Sequence, residues 1–277
     1  MEFKDKVPIR GEEQNELGRA DGVRPTLARI GLRRTGVSLA TSEALKFAEA
    51  HALARDAVHA RLAASAMVTG LRERGLDAVA VLSAAADRQE YLLRPDLGRQ
   101  LNGGAADALR ARPHAVEQTG GARLAVVIAD GLSALAAERH ALPVLDALRA
   151  RLDFAQAAGW ELATVVVAEQ ARVALGDRVA EALGADAVVV LIGERPGLSS
   201  PDSLGAYVTW RPRRETSDAE RNCVSNIRAE GMGYEEAAES VAWFLTEGRR
   251  VGGTGVGLRA PESGGGVRRD LSRRRLD

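Results

Sequence analysis

Residues 124–133 read Leu-Ala-Val-Val-Ile-Ala-Asp-Gly-Leu-Ser, and the fold turns on how that stretch is taken. Six apolar residues in a row end at an acid, a glycine and a serine, and a helical pattern then runs to about Arg151. No polar alternation interrupts the run, which is the pattern of a strand buried on both faces. Three more apolar runs follow: Leu162–Ala168, Ala187–Ile192 and Leu204–Trp210. Between and after them lie a short helix over Ala180–Leu183, ended by Gly184, and an amphipathic helix over Glu235–Glu247. Strands alternating with helices predict βαβ units, hence an α/β, Rossmann-like doubly wound and mostly parallel sheet. Ligands of such sheets sit beyond the carboxyl ends of the strands, where strand order reverses. That rule marks Asp130–Ser133, Ala168–Val173 and Gly193–Leu198 as the candidate rim.

Upstream of the sheet the pattern is helical. Thr41 or Ser42 can cap an Ala-dense run that reaches Leu62, and a second helix ends near Gly75. Ala78–Leu82 is a short strand candidate. The expected organisation is a mobile N-terminal arm over 1–24, a helical N-terminal region over 25–115, the Rossmann-like domain over 116–257 and a disordered Gly/Arg-rich tail over 258–277.

Composition narrows the function. Of 277 residues, 45% are hydrophobic and 27% charged, enough apolar surface for a folded core. The 38 basic and 38 acidic residues cancel, which argues against a domain built to neutralise a nucleic-acid backbone. Only Lys4, Lys6 and Lys46 are lysines, none in the setting of a Schiff-base enzyme. Cys223 is the lone cysteine, so an intrachain disulfide and a Cys-based zinc cluster are both excluded. No apolar run has the ~20 residues of a membrane span, and the first residues lack the apolar core of a signal peptide. The expectation is a soluble, cytoplasmic protein.

Most motifs of chemistry are missing. There is no Gly-Lys pair for a phosphate loop, and Gly253, Gly255 and Gly257 have the wrong spacing for a dinucleotide fingerprint. His51 and His59 are eight apart, not at the i, i+4 spacing of a helical metal site, and no metal ligands are assigned. What remains is Asp130-Gly-Leu-Ser133, a capped turn or a ligand rim, and Gly193-Glu-Arg-Pro-Gly197. The second puts a partly desolvated carboxylate, Glu194, at the mouth of the sheet, with Arg195 available to orient it. Arg221-Asn-Cys-Val-Ser-Asn226 is a polar segment around the thiol, read either as a buried small hydrophobe or as a pocket wall. A serine nucleophile among Ser199–Ser203 would need a positioned base that the local sequence does not supply.

Six stretches in order resemble the small (light) subunit of ethanolamine ammonia-lyase: Leu27-Ala-Arg-Ile-Gly-Leu-Arg-Arg-Thr-Gly-Val-Ser-Leu39, His51-Ala-Leu-Ala-Arg-Asp-Ala-Val-His59, Tyr91-Leu-Leu-Arg-Pro-Asp-Leu-Gly-Arg99, Ala129-Asp-Gly-Leu-Ser-Ala134, Val190-Leu-Ile-Gly-Glu-Arg-Pro-Gly-Leu198 and Arg221-Asn-Cys-Val-Ser-Asn-Ile227. The resemblance covers about residues 25–257. It implies a non-catalytic subunit that binds adenosylcobalamin, and a TIM-barrel large subunit that holds the substrate, in an assembly of six of each. The implied reaction converts ethanolamine to acetaldehyde and ammonia by a radical route. By motif, the implied cobalamin contacts are Val173, Glu194 and Cys223. The sequence lacks Asp-x-His-x-x-Gly, which fits a cobalt that keeps its own dimethylbenzimidazole. In some relatives the N-terminal arm directs the enzyme into a bacterial microcompartment, but residues 1–24 show no convincing amphipathic helix. The Gly/Arg-rich tail departs from the family pattern. The alternative is a stand-alone α/β protein for a nucleotide-like ligand, against which Asp130-Gly-Leu offers only one cradle glycine.

Overall fold

The computed structural model describes residues 32, 34–112, 121–152 and 159–259. The arm expected over 1–24 and the tail beyond Arg259 lie outside them. The chain divides into two compact units between Ala48 and Glu49. In the first, β1 (Arg34–Thr35) and β2 (Ser38–Leu39) form an antiparallel hairpin whose turn places Gly36 at φ 64°, a left-handed conformation that glycine adopts without steric cost. Helix α1 (Thr41–His59) crosses the division.

The second unit is a seven-stranded sheet with helices on both faces. In chain order it holds α2 (Ala64–Glu73), β3 (Ala78–Leu82), α3 (Arg88–Leu93), α4 (Gly103–Arg110), β4 (Ala122–Ala129), α5 (Ala134–Arg151), β5 (Trp160–Leu162), β6 (Val165–Glu169), α6 (Leu175–Leu183), β7 (Ala187–Gly193), β8 (Leu204–Trp210), β9 (Asn222–Ile227) and α7 (Tyr234–Val251). The strand order is β3-β6-β4-β7-β8-β9, with β5 beside the start of β4. The first four are mutually parallel, and β8 and β9 run antiparallel. The mostly parallel α/β fold expected from the apolar runs is present. Ala78–Leu82, from the stretch expected to be a separate helical region, belongs to the same sheet, because β3 pairs with β6.

Strand alternation sorts the core. Leu124, Val126 and Ile128 of β4 and Val189 and Leu191 of β7 face α2, α5 and α7. Ala125, Val127 and Ala129 of β4 and Val188, Val190 and Ile192 of β7 face α6. All of these lie at most 6% exposed, so each face of the central strands contributes burial at about 25 cal/mol per Å2 of apolar area.

Two details differ from the sequence expectation. The run Leu162–Ala168 is split, because β5 pairs with the start of β4 and β6 with its end. At the break the Thr164 hydroxyl donates to Asp77 (2.6 Å) and accepts from Arg112 (3.1 Å). The polar segment Asn222–Ile227 is also a strand. Its Asn222 and Val224 are buried while Cys223 and Ser225 are exposed, the alternation of a strand with one covered face.

Candidate functional site on the open face of the sheet

Strand order reverses at β4, since α5 leads to β6 on one side of it and α6 leads to β7 on the other. The crevice expected there is filled by the chain itself. The N–H of Leu132 donates to Gly193 O (2.9 Å). A Cβ on Gly131 (φ 52°) would collide with Gly193 O, and a Cβ on Gly193 would collide with the backbone of Asp130 and Ser133. Asp130 is 1% exposed and accepts from the amides of Gln170 (2.9 Å) and Ala171 (3.0 Å) and from Arg88 (3.3 Å). Burial pushes its carboxyl upward, against the pull of the two amides and of Arg88. Ser133 caps α5 through Ala136 N and donates to Pro201 O. Asp130–Ser133 is therefore a capped, inward-tied turn and not a ligand rim.

The accessible surface lies to one side, over β8 and β9. Register sets Val190, Tyr207 and Cys223 opposite one another across three strands. Gly176 of α6 sits against Val190, where a Cβ would collide with that side chain. Helix α6 packs on β4 and β7, and α7 covers β8 and β9 from the other face. On the face shared with α6, Tyr207 is half-buried and Cys223 and Ser225 are exposed. A buried bidentate pair ties α6 to this region: Arg221 donates to both Asp177 oxygens (2.7 and 2.6 Å) and to the Thr209 hydroxyl (3.2 Å).

Glu194 leaves the end of β7 on this same face. Its Oε2 accepts from the Ser203 hydroxyl (2.5 Å) and from the N–H of Asn226 (3.2 Å), and its Oε1 accepts from the Ser225 hydroxyl (2.5 Å). Gly205 makes room for it, since a Cβ there would lie 3.0 Å from Oε1. Between the pairs Ala206–Val224 and Leu204–Ile227, two residues of β9 oppose one of β8. This bulge, with Asn226 at φ 60°, turns both the Ser225 hydroxyl and the Asn226 N–H toward the carboxylate. Arg195 makes no ion pair to Glu194. It is exposed, two residues beyond the end of β7. The serine and amide donors do the orienting that the sequence assigned to Arg195.

Cys223 counts as exposed by surface, yet its thiol sits close enough to neighbouring chain that loss of hydration pushes its pKa up. The Glu194 charge pushes the same way, while the Tyr207 hydroxyl pulls against them. Burial also raises the Tyr207 phenol, helped by Cys223 and Glu194. A thiol held protonated is a small polarizable contact and not a nucleophile. Val173 lies half-buried at the margin of the apolar cluster that includes Val190, Ile192 and Tyr207, in the turn that its carbonyl closes onto Gly176 N (2.9 Å). Tyr207 and Cys223 are thus paired across β8 and β9, the Glu194 charge acts on both, and Val173 packs against the apolar cluster of the same face, beside α6.

Sequence reasoning missed Tyr207, and it named Ser203, Ser225 and Asn226 without connecting them to Glu194. The signal for the last two was the alternation of Asn222-Cys-Val-Ser, hidden because its inward residues include an asparagine. That Asn222 is satisfied by Gly255 O and Leu258 O. A cavity of about 520 Å3 lies at the other end of β8, lined by Trp210, Arg211 and Gly252–Thr254, and none of Val173, Glu194 and Cys223 borders it. Among the described residues no group of three or more His, Cys, Asp or Glu is set to hold a metal ion, and no helix is long and apolar enough to cross a membrane.

The sequence model of one protein family, described as "Ethanolamine ammonia-lyase light chain (EutC)", matches residues 20–259. The ethanolamine ammonia-lyase small subunit of Azotobacter vinelandii is 53% identical over 257 residues, covering 93% of this chain and 92% of its own length. Those of Pseudomonas aeruginosa and Pseudomonas syringae are 52% and 51% identical, over 84% and 85% of this chain and 84% and 80% of their own.

Proposed function

The chain belongs to the ethanolamine ammonia-lyase light-chain family, and on that premise we propose that it is the small subunit of an adenosylcobalamin-dependent ammonia-lyase converting ethanolamine to acetaldehyde and ammonia. One observation carries the cofactor part of this reading. A carboxylate, Glu194, is fixed at the margin of an uncovered sheet face bearing Val173, Tyr207 and Cys223. A corrin is a broad apolar macrocycle fringed with amides, and this donor set fits it: small and aromatic side chains for the ring, an acceptor for an amide N–H. When bound, the cofactor supplies the radical, by homolysis of its cobalt–carbon bond, that starts the rearrangement.

The chain's own residues bind and orient. Glu194 accepts a hydrogen bond from a corrin amide. Cys223 and Val173 allow close packing, and the protonated state of Cys223 keeps it from competing chemically. The face is open and not a closed pocket, which suits half of a cradle whose other half is a second polypeptide. That polypeptide is the TIM-barrel large subunit, which holds the substrate, in an assembly of six of each. No residue of this chain is assigned as a ligand of the cobalt. Enclosure in a bacterial microcompartment is an optional extension of this reading, and no targeting role is assigned to residues 1–24.

The competing reading, a stand-alone protein for a nucleotide-like ligand, needs the crevice between the ends of β4 and β7. The backbone contacts of Gly131 and Gly193 occupy that space. The test is co-expression with a candidate large subunit and an assay for acetaldehyde with and without adenosylcobalamin. Activity is expected only when both chains and the cofactor are present. Turnover by this chain alone would overturn the assignment.

A further inference from the structure

The donors around Glu194 leave a count that can be completed. An ionised carboxylate offers about four lone-pair positions. Ser203 and the Asn226 N–H take two on Oε2, and Ser225 takes one on Oε1. We propose that Ser203, Ser225 and the backbone N–H of Asn226 are positioning residues, which hold Glu194 with a single acceptor position, at Oε1, for one N–H donor of the bound cofactor. This rests on the cofactor reading above and goes beyond it, because it assigns how the carboxylate is aimed and how many bonds it forms.

Three features support a built arrangement. The donors come from two separate segments, the end of the 194–203 loop and strand β9, so the carboxylate is clamped from both sides. The loop is fixed in turn, since the Glu194 N–H donates to Ser203 O (2.9 Å). The bulge that delivers Ser225 and Asn226 is costly: Asn226 is one of three non-glycine residues at positive φ among the described residues, and such positions persist where surrounding structure enforces them. The enforcement is visible. Asn226 O accepts from Met232 N (2.8 Å), its Oδ1 accepts from Arg228 (2.8 Å), and Gly231 packs so closely that a Cβ there would collide with Asn226. Gly205 completes the seat by leaving the space beneath Oε1.

The test measures adenosylcobalamin affinity of the complex with the large subunit, by equilibrium dialysis, for Ser225→Ala, Ser225→Thr, Glu194→Gln and the double variant Ser225→Ala/Glu194→Gln. Melting curves confirm that each variant chain is folded. Ser225→Ala is expected to weaken binding about tenfold, as the loss of a charge-assisted hydrogen bond does. Ser225→Thr, which keeps the hydroxyl, is expected to restore it. In the Glu194→Gln background, Ser225→Ala is expected to add less than about twofold, because a residue acting through Glu194 has nothing left to act on. Asn226→Val is expected to weaken binding more than Asn226→Gly, since the β-branched residue strains at positive φ. Full additivity in the double variant, or no loss in Ser225→Ala while Glu194→Gln does weaken binding, overturns the positioning role alone. No change in Glu194→Gln overturns the cofactor reading and the positioning role together.

Discussion

The carboxyl ends of β4 and β7 and the outer face of β8 and β9 are neighbouring regions with opposite fates. At the first, two glycines let the loops touch backbone to backbone, and Asp130 spends its acceptors on the chain's own amides. At the second, the sheet continues past the last helix on that side, and side chains that would be covered in an ordinary three-layer fold remain available. The general rule for ligand position in parallel sheets points to the first region. The surface proposed for the cofactor is the second, which stays uncovered because β8 and β9 run antiparallel and need no crossover helix over them. A surface is left open here by topology, not by the absence of loops.

The largest expected effect is in the second region, at the end of β8 away from Glu194, where Arg221 and Thr209 meet Asp177 of α6. Asp177→Asn leaves Arg221, whose side chain is 2% exposed, with the exposed Asp218 at 3.4 Å as its remaining carboxylate, and should lower unfolding stability by about 3–5 kcal/mol, read by urea denaturation. Next comes Gly131→Ala. The added methyl meets Gly193 O at a positive φ, and a loss of about 3 kcal/mol is expected. Full stability in this variant would show the crevice to be less closed than the contacts imply. The nearest atoms to the methyl of Gly205→Ala belong to the movable Glu194 side chain, so it should cost about 1 kcal/mol or less while displacing the carboxylate.

Smaller still is a titration. Cys223 should alkylate with iodoacetamide only as pH rises above the ordinary thiol range, since burial and Glu194 hold its pKa up. Glu194→Gln removes one of those causes and should move the alkylation midpoint down. Tyr207→Phe removes the opposing hydroxyl and should move it up. Equal midpoints in all three proteins would separate Glu194 from Cys223 and break the site into unrelated parts.

The fold was legible because apolar runs such as Leu124–Ala129 and Ala187–Ile192 have no polar member to obscure them, and Gly184 marks the end of α6 as a left-handed cap (φ 61°). Strand β9 was not, since its buried positions include Asn222, whose partners at Gly255 and Leu258 are distant in sequence. Glu194 stood out locally as a charge between glycines. Its orienting partners did not, because Ser203 and Ser225 become neighbours only through antiparallel pairing and a one-residue bulge. Arg195, the adjacent cation, was the obvious partner by sequence, yet it is exposed and the Glu194 carboxylate bonds Ser203, Ser225 and Asn226 instead. Cys223 came from family resemblance, and the geometry adds what resemblance did not: its place opposite Tyr207, where burial pushes the thiol pKa up.

The most direct measurement is a structure of this chain assembled with its large subunit and adenosylcobalamin. The account expects the corrin against the outer face of β8 and β9, with Val173, Tyr207 and Cys223 within about 4 Å and one corrin amide donating to Glu194 Oε1. A corrin seated elsewhere, with Glu194 bonded only to Ser203, Ser225 and Asn226, would contradict it.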